Sequence, residues 1–275
     1  MGNPEPTSEY VLAGNTSELE RLRLQARVWE PAGERMLDAI RVAPGWRCVD
    51  LGSGPVGIVK ALSHRVGPTG HVTATDIDAK HIETLRDYAA SNGLTNVSVV
   101  RDDAYNSRLQ PSSFDFVHVR YVFSPVGRAA HLLSSLISLC RGGGIVAAEE
   151  TIASTWACYP TSQPWNDLRD LIIRAFLARG GDFDSGKLLY SMFRNAGLKE
   201  IGIRAEVLCP LPDDPYRRIP LMFATAMRSF MLERQLISAP ELDRLVAACE
   251  PIAADPNRFH MTFTTAQVWG RKPVA

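Results

Sequence analysis

Three glycines lie close together in the stretch "CVDLGSGPVGIV", which runs from Cys48 to Val59. Gly52, Gly54 and Gly57 follow a short apolar run with the spacing G-x-G-x-x-G. Glycines after a buried strand let a ligand approach bare backbone, and the N-terminus of a following helix favours negative charge. The stretch therefore predicts a loop that binds a nucleoside-containing ligand. A plain strand–turn–helix connection is the alternative.

Acidic residues near the ends of the predicted strands distinguish between possible ligands. Asp76 closes the second strand, where its carboxylate would accept hydrogen bonds from both hydroxyls of a ribose. NAD and S-adenosylmethionine both carry such a ribose. In "RDDA", Asp103 would accept from the exocyclic amine of an adenine and the N–H of Ala104 would donate to its ring. Asp50 would lie near the cationic amino group of a methionine moiety, whereas a pyrophosphate would be repelled by these acids.

A dehydrogenase of the short-chain type would also need a tyrosine followed four residues later by a lysine. None of the seven tyrosines has a lysine at that spacing. The sequence therefore favours S-adenosylmethionine over a dinucleotide.

Candidate catalytic residues lie after the fourth and fifth predicted strands. Glu149 and Glu150 end the fifth strand at the carboxyl edge, where ligands bind in parallel sheets. One of them is expected to face the site as an acid–base or orienting group, with a structural carboxylate as the alternative. Tyr159 is placed to line an acceptor pocket, whereas His118, between two valines, is expected to be a core residue.

Five strands alternate with helices between Arg47 and Glu150, which predicts a parallel, doubly wound α/β sheet. A helix is predicted from Ser17 to Ile40, with a possible break at Pro31, and Pro55 is expected in the first turn of the helix after the glycines. Further helices and a last strand, "HMTFTTAQVWG", follow. We expect an N-terminal helical lid over residues 1–40 and one domain over 41–275, with cap insertions at about 152–197 and 214–256.

The motifs "VDLGSGPVG", "TATDID", "VVRDDA", "FDFVHVRYVF" and "RGGGIVAAEE" occur in this order between Arg41 and Thr151. In order and spacing the series resembles that of class I S-adenosylmethionine-dependent methyltransferases, especially bacterial enzymes acting on small, often natural-product, substrates. The resemblance implies a Rossmann-like, doubly wound, seven-stranded sheet with an antiparallel last strand and a helical cap. Val56 departs from the family pattern, which commonly has glycine there.

The same resemblance implies which residues bind the cofactor S-adenosylmethionine. By this resemblance Gly52, Ser53 and Gly54 would form the floor under the methionine portion. Asp76 would hold the ribose, Ile77 would pack on the adenine, and Asp103 and Ala104 would bind the adenine edge. Arg120 would lie beside the methyl group, and Tyr10 and Gln25 would contact the cofactor from an N-terminal segment that closes over it.

Composition limits the classes of partner. The net charge is zero, and the fourth strand is followed by "YVFSPV" rather than by the tetrapeptide of base-flipping methyltransferases, so nucleic acid is not expected as substrate. The five cysteines form no Cys-x-x-Cys pair, which indicates neither a zinc site nor disulfides and favours a cytoplasmic protein. No window is apolar and long enough to span a membrane.

The sequence thus predicts methyl transfer to a small, largely hydrophobic acceptor in secondary metabolism. Oxygen, nitrogen and carbon remain open as the methylated atom, and a homo-oligomer through the N-terminal segment is expected. A non-catalytic S-adenosylmethionine-binding regulator is the alternative, followed by an NAD(P)-dependent oxidoreductase.

Overall fold

A computed structural model describes residues 16–274 of the chain. The helices in this range are α1 (Thr16–Ile40), α2 (Val59–Val66), α3 (Ala79–Ser91), α4 (Phe123–Val126), α5 (Ala129–Leu139), α6 (Gln163–Ala178), α7 (Leu189–Asn195), α8 (Ile219–Ala226), α9 (Arg228–Glu233) and α10 (Ala239–Ala254). The strands are β1 (Arg47–Leu51), β2 (His71–Asp76), β3 (Val97–Arg101), β4 (Phe114–Arg120), β5 (Cys140–Ile152), β6 (Ala157–Tyr159), β7 (Lys199–Glu206), β8 (Phe259–Met261) and β9 (Thr264–Arg271).

Seven strands form one sheet in the order β3-β2-β1-β4-β5-β9-β7. The strands from β1 to β5 pair in parallel, whereas β9 is antiparallel to both of its neighbours, β5 and β7. The predicted doubly wound sheet with an antiparallel last strand is therefore confirmed. Its strand order reverses between β1 and β4, so the carboxyl ends of these two strands border a crevice where ligands bind in such sheets.

Both faces of the central strands are covered by helices. One face packs against the second half of α1 and against α2 and α3, through residues such as Leu37, Leu62 and Leu85. The other face packs against α5 and α7, through Leu136 and Phe193. A strand that is buried on both faces needs apolar residues at most positions, which is why β5 contains a short apolar run from Ile145 to Ala148.

Helix α1 remains one helix through Pro31, so the predicted break does not occur. Proline inside a helix removes one hydrogen bond and costs about 3 kcal/mol. Packing on both sides of Pro31 offsets this cost. Trp29 and Ala32 are buried in an aromatic core above the sheet, whereas Met36 and Leu37 are buried against the sheet itself.

Helix α2 begins at Val59, four residues after Pro55, so the expectation that Pro55 lies in its first turn is wrong. Gly54 and Gly57 both have positive φ, at +61° and +59°. A left-handed residue cannot continue a right-handed helix. The stretch from Pro55 to Ile58 is therefore a turn that returns the chain beneath the sheet edge before the helix starts.

A helical cap made of α6, α8, α9 and α10 covers the carboxyl edge of the sheet, together with the two-stranded antiparallel sheet β6–β8. The single last strand predicted from "HMTFTTAQVWG" is in fact two, because His260 pairs with Cys158 in the small cap sheet before β9 enters the main sheet. Within residues 16–274, no helix has both the length and the apolar character that a membrane crossing requires.

Candidate active site

The glycine loop after β1 is shaped by close backbone approach at two positions. Gly52 has a φ of +64°, and a Cβ there would lie 2.6 Å from Cγ2 of Val122. A Cβ on Gly57 would overlap Oδ2 of Asp50. Gly54 differs, because no atom lies within 4 Å of the position its Cβ would take. The first glycine is thus required by its contact with Val122 after β4 and the third by its contact with Asp50 on β1, whereas the second faces open space.

Asp76, at the end of β2, is tied to the glycine loop. Its Oδ2 accepts from the N–H of Gly54 at 2.8 Å, and its Oδ1 accepts from the N–H of Asp78 at 2.8 Å. Oδ1 also lies 3.3 Å from Nδ1 of His81. Burial lowers the pKa of His81, but the hydrogen bond with Asp76 and its charge raise it, and the net shift is upward. A carboxylate is thereby fixed beside the loop.

A cavity of about 430 Å³ opens at this edge of the sheet. One half of its wall is polar and comes from the ends of β1, β2 and β3. This half contains the predicted residues Gly52, Ser53, Gly54, Asp76, Ile77, Asp103 and Ala104. Because the parallel strands end at one edge, residues about 25 positions apart in sequence line one wall.

The loop after β3 supplies two carboxylates rather than one. Asp103 is half-buried, and its Oδ1 accepts from the N–H of Tyr105 at 2.9 Å. Asp102, which sequence reasoning did not select, is buried at the cavity wall and accepts from the N–H of Arg108 at 3.1 Å. Asp102 therefore stabilises the conformation of the loop, whereas the side chain of Asp103 remains partly exposed.

Helix α1 closes the cavity from one side. Gln25 lines the wall, as predicted, and its Oε1 accepts from Nη1 of Arg21 at 2.7 Å. Arg21 also forms an ion pair with Glu18 and lies over the ring of Phe223, 4.4 Å from its centroid. The predicted contact from Tyr10 falls outside the described residues.

The matching family is described as a methyltransferase domain and covers residues 48–144. These residues comprise β1 to β4 and most of the wall described above. This stretch of the chain therefore matches a methyltransferase domain. The resemblance drawn from the sequence motifs is confirmed.

Known relatives agree with this assignment. Demethylmenaquinone methyltransferase of Staphylococcus aureus is 30% identical over 131 residues, which are 48% of this chain and 52% of that protein. The chain thus spans about half the length of the relatives it matches.

Among solved structures, a putative methyltransferase from Bacillus halodurans has a TM-score of 0.58 at 14% identity, covering 88% of this chain and all of that one. A SAM-dependent methyltransferase from Aquifex aeolicus has a TM-score of 0.52 at 18% identity, with 72% and 93% covered. At such identities these structures support the fold alone.

The three residues predicted to be catalytic do not meet at the cavity. Glu149 and Glu150 are adjacent in β5, so their side chains point to opposite faces of the sheet, and both are fully buried. Tyr159 lies in the small cap sheet, where it is 48% exposed and stacks on Phe259. None of the three is part of the cavity wall.

Glu150 instead anchors the start of α4. It accepts from the N–H groups of Phe123 at 2.7 Å and Ser124 at 3.3 Å, and from the hydroxyl of Ser124. Burial raises its pKa to about 7, although these hydrogen bonds lower it. The side chain therefore holds the loop after β4, which forms part of the cavity wall.

The raised pKa of Glu150 predicts how stability depends on pH. The folded chain binds the proton more tightly than the unfolded chain, so this side chain removes stability as the pH rises from about 4.5 to about 7. By linkage the loss amounts to about 3 kcal/mol. Urea unfolding of wild type and of Glu150→Gln across this range tests it. The free energy of unfolding of the variant should lack this part of its decrease with pH. Equal decreases in both proteins would contradict the raised pKa of Glu150.

The second half of the cavity wall is aromatic and belongs to the cap side. Its four phenylalanines, none of which was selected from the sequence, are Phe176, Phe183, Phe223 and Phe263. Tyr121 has a φ of +58° and also lines the wall. A bulky residue at positive φ is rare and marks a constrained position, but no sequence pattern reveals it.

A metal site has no support in the part of the chain that the structure describes. Residues 16–274 contain no group of three or more His, Cys, Asp or Glu side chains placed to hold an ion. All five cysteines are free thiols, four of them buried.

Proposed function

We propose that this chain is an S-adenosylmethionine-dependent methyltransferase whose acceptor is a small, largely hydrophobic molecule of secondary metabolism. The observation that carries the proposal is the two-part wall of the cavity. Its sheet side offers carboxylates and open backbone beside Gly54, and its cap side offers a cluster of phenylalanine rings. Such a wall suits a nucleoside-containing cofactor on one side and an apolar acceptor on the other.

The donor set fits the cofactor. Asp76 would accept from the ribose hydroxyls, Asp103 from the adenine amino group, and Ile77, whose side chain is partly exposed, would pack on the adenine ring. The bound cofactor supplies a methyl group on a sulfonium sulfur. Holding the acceptor atom in line with that methyl group would provide much of the rate acceleration.

Cofactor binding is tested by calorimetry with S-adenosylhomocysteine and, in parallel, with NADH. Micromolar binding of S-adenosylhomocysteine without binding of NADH is expected. Acceptors are then screened by mass spectrometry for the gain of one methyl group in place of a hydrogen. The screen includes demethylmenaquinone, because a relative carries that name and the molecule is apolar. Binding of NADH alone would overturn the proposal, whereas cofactor binding with no acceptor would favour a regulator.

The aromatic wall carries a second testable consequence. Phe176 stacks on Phe183 with ring centroids 4.1 Å apart, and Phe223 contacts Phe183 edge-on at 5.3 Å. Phe223→Leu is expected to raise KM for the identified acceptor about tenfold, because it removes apolar contact area, while the Kd for S-adenosylhomocysteine stays unchanged.

Phe193→Leu, in the core between α7 and the sheet, is the matched control. It should leave both constants unchanged. Equal effects of the two variants on KM would contradict a direct contact between Phe223 and the acceptor.

Two further expectations belong to this proposal. A cytoplasmic location is supported by the free thiols, which are typical of a reducing compartment.

The proposed homo-oligomer through the N-terminal segment is tested by light scattering of the full chain and of a chain that begins at Thr16. A monomeric full chain would contradict it.

A further inference from the structure

Four buried polar side chains form a row across four neighbouring strands of the sheet. Asp50 on β1 lies 2.7 Å from Nδ1 of His118 on β4, and Nε2 of His118 lies 3.1 Å from Glu149 on β5. Glu149 accepts from Nε2 of Gln267 on β9 at 2.8 Å. All four are at most 1% exposed. Asp50 was predicted to lie near the amino group of the cofactor, but none of the four is part of the cavity wall, and the proposed reaction uses none of them.

The geometry around His118 determines its protonation. Both ring nitrogens face carboxylate oxygens, and carboxylates accept hydrogen bonds. A neutral imidazole has one N–H, so one of its nitrogens would point a lone pair at an anion. An imidazolium donates to Asp50 and Glu149 at once. Burial lowers the pKa of His118, but the two carboxylates raise it and the net shift is upward.

The charges around His118 balance when it is protonated. Its charged neighbours are Asp50 and Glu149, and on its own strand Arg120 places Nη1 3.8 Å from Glu149. On this face Gly33 of α1 and Ile58, which precedes α2, carry no charge. Gln267 is neutral. Two cations thus oppose two carboxylates, and loss of the proton would leave a net buried negative charge, which is costly.

Both carboxylates also connect to the cofactor side of the cavity. Oδ2 of Asp50 accepts from the N–H of Ile58 at 3.2 Å and occupies the space that a Cβ on Gly57 would take. Glu149 pairs with Arg120, which lines the cavity and donates from Nη2 to the carbonyl of Gly57 at 3.4 Å. His118 therefore links Asp50, which contacts the glycine loop directly, with Glu149, which contacts this loop through Arg120.

We propose that His118 is a positioning residue: as an imidazolium clamped between Asp50 and Glu149, it fixes the glycine loop and Arg120 in the arrangement that binds the cofactor. The cofactor's identity rests on the proposed function, whereas the charge of His118 does not. His118 touches neither the cofactor nor the acceptor and takes no proton from them.

The charge is measured by nitrogen NMR of the wild-type histidines across a pH series. His118 is expected to carry protons on both ring nitrogens at pH 7. His260 is the internal control, because it is also buried but its Nε2 lies 3.2 Å from the carbonyl of Ile252. Burial and nearby arginines lower the pKa of His260 to about 4, so it should be neutral at pH 7. A single proton on His118 at pH 7 would overturn the proposal.

The positioning role is measured by calorimetry with S-adenosylhomocysteine. His118→Gln removes the charge and one of the two donors, and it should weaken binding about tenfold, the worth of one charge-assisted hydrogen bond. His260→Gln, in the cap, should leave binding unchanged. Unchanged affinity in a folded His118→Gln protein would overturn the role.

The wild-type protein provides an independent test if His118→Gln does not fold. The affinity for S-adenosylhomocysteine should fall with rising pH along the same curve on which NMR records deprotonation of His118. Affinity that stays constant through that titration would overturn the proposal. If wild type fails to bind S-adenosylhomocysteine, the proposed function fails instead, and the NMR result on His118 still stands.

Discussion

Replacement of Gly57 by alanine should destabilise the protein by about 3 kcal/mol, because two penalties add at this position. A φ of +59° is unfavourable for any residue with a Cβ, and that Cβ would overlap Oδ2 of Asp50. Asp50 cannot move away easily, since His118 and the N–H of Ile58 hold it. Urea unfolding monitored by circular dichroism measures the loss.

Gly54→Ala is the matched control within the same loop. Its φ of +61° is nearly the same, but no atom lies within 4 Å of the added Cβ. Only the backbone penalty of about 1 kcal/mol should remain. If both variants lost the same stability, contact with Asp50 would not be the reason for glycine at position 57.

Replacement of Asp76 by asparagine should weaken binding of S-adenosylhomocysteine about 100-fold, as measured by calorimetry. A carboxylate that accepts from two ribose hydroxyls makes charge-assisted hydrogen bonds, and removing the charge while turning one oxygen into a donor affects both. The same substitution also removes an acceptor for the N–H of Gly54 or Asp78. Affinity within threefold of wild type would show that Asp76 does not bind the ribose.

Asp78→Ala provides the control two residues away. Asp78 caps α3 by accepting from the N–H of Lys80 at 2.7 Å, and it is not part of the cavity wall. Its loss should cost about 1 kcal/mol of stability and leave the affinity unchanged. A parallel fall in affinity would mean that the Asp76 result reflects general loosening of the loop.

The sheet was predictable because its signals are local. Short apolar runs such as that from Ile145 to Ala148, separated by helical periodicity, indicate a parallel sheet covered on both faces. Glycines and acids at strand ends could then be placed at one edge without coordinates. Seven predicted cofactor residues, from Gly52 to Ala104, line one cavity for this reason.

The helix starts were less predictable because they depend on backbone angles. Pro55 suits the first turn of a helix, but the left-handed residues on either side of it exclude one there. The contact that requires Gly57 to be glycine comes from Asp50, seven residues earlier on β1. Such an overlap is a distance in space, and residue types alone do not show it.

The sequence by itself determined the sheet, the edge where the cavity lies and most residues of its wall on the sheet side, because strand ends and turns follow from near neighbours along the chain. Only the tertiary structure decided what the long-range contacts do. It buried Glu149 and Glu150 in separate networks on opposite faces, left Tyr159 on the surface and joined Phe176 to Phe263 in one wall. It also gave His118 two carboxylate partners, 68 and 31 residues away. These outcomes depend on which strands become neighbours and which faces helices cover, so the physical reason lies in packing between distant segments.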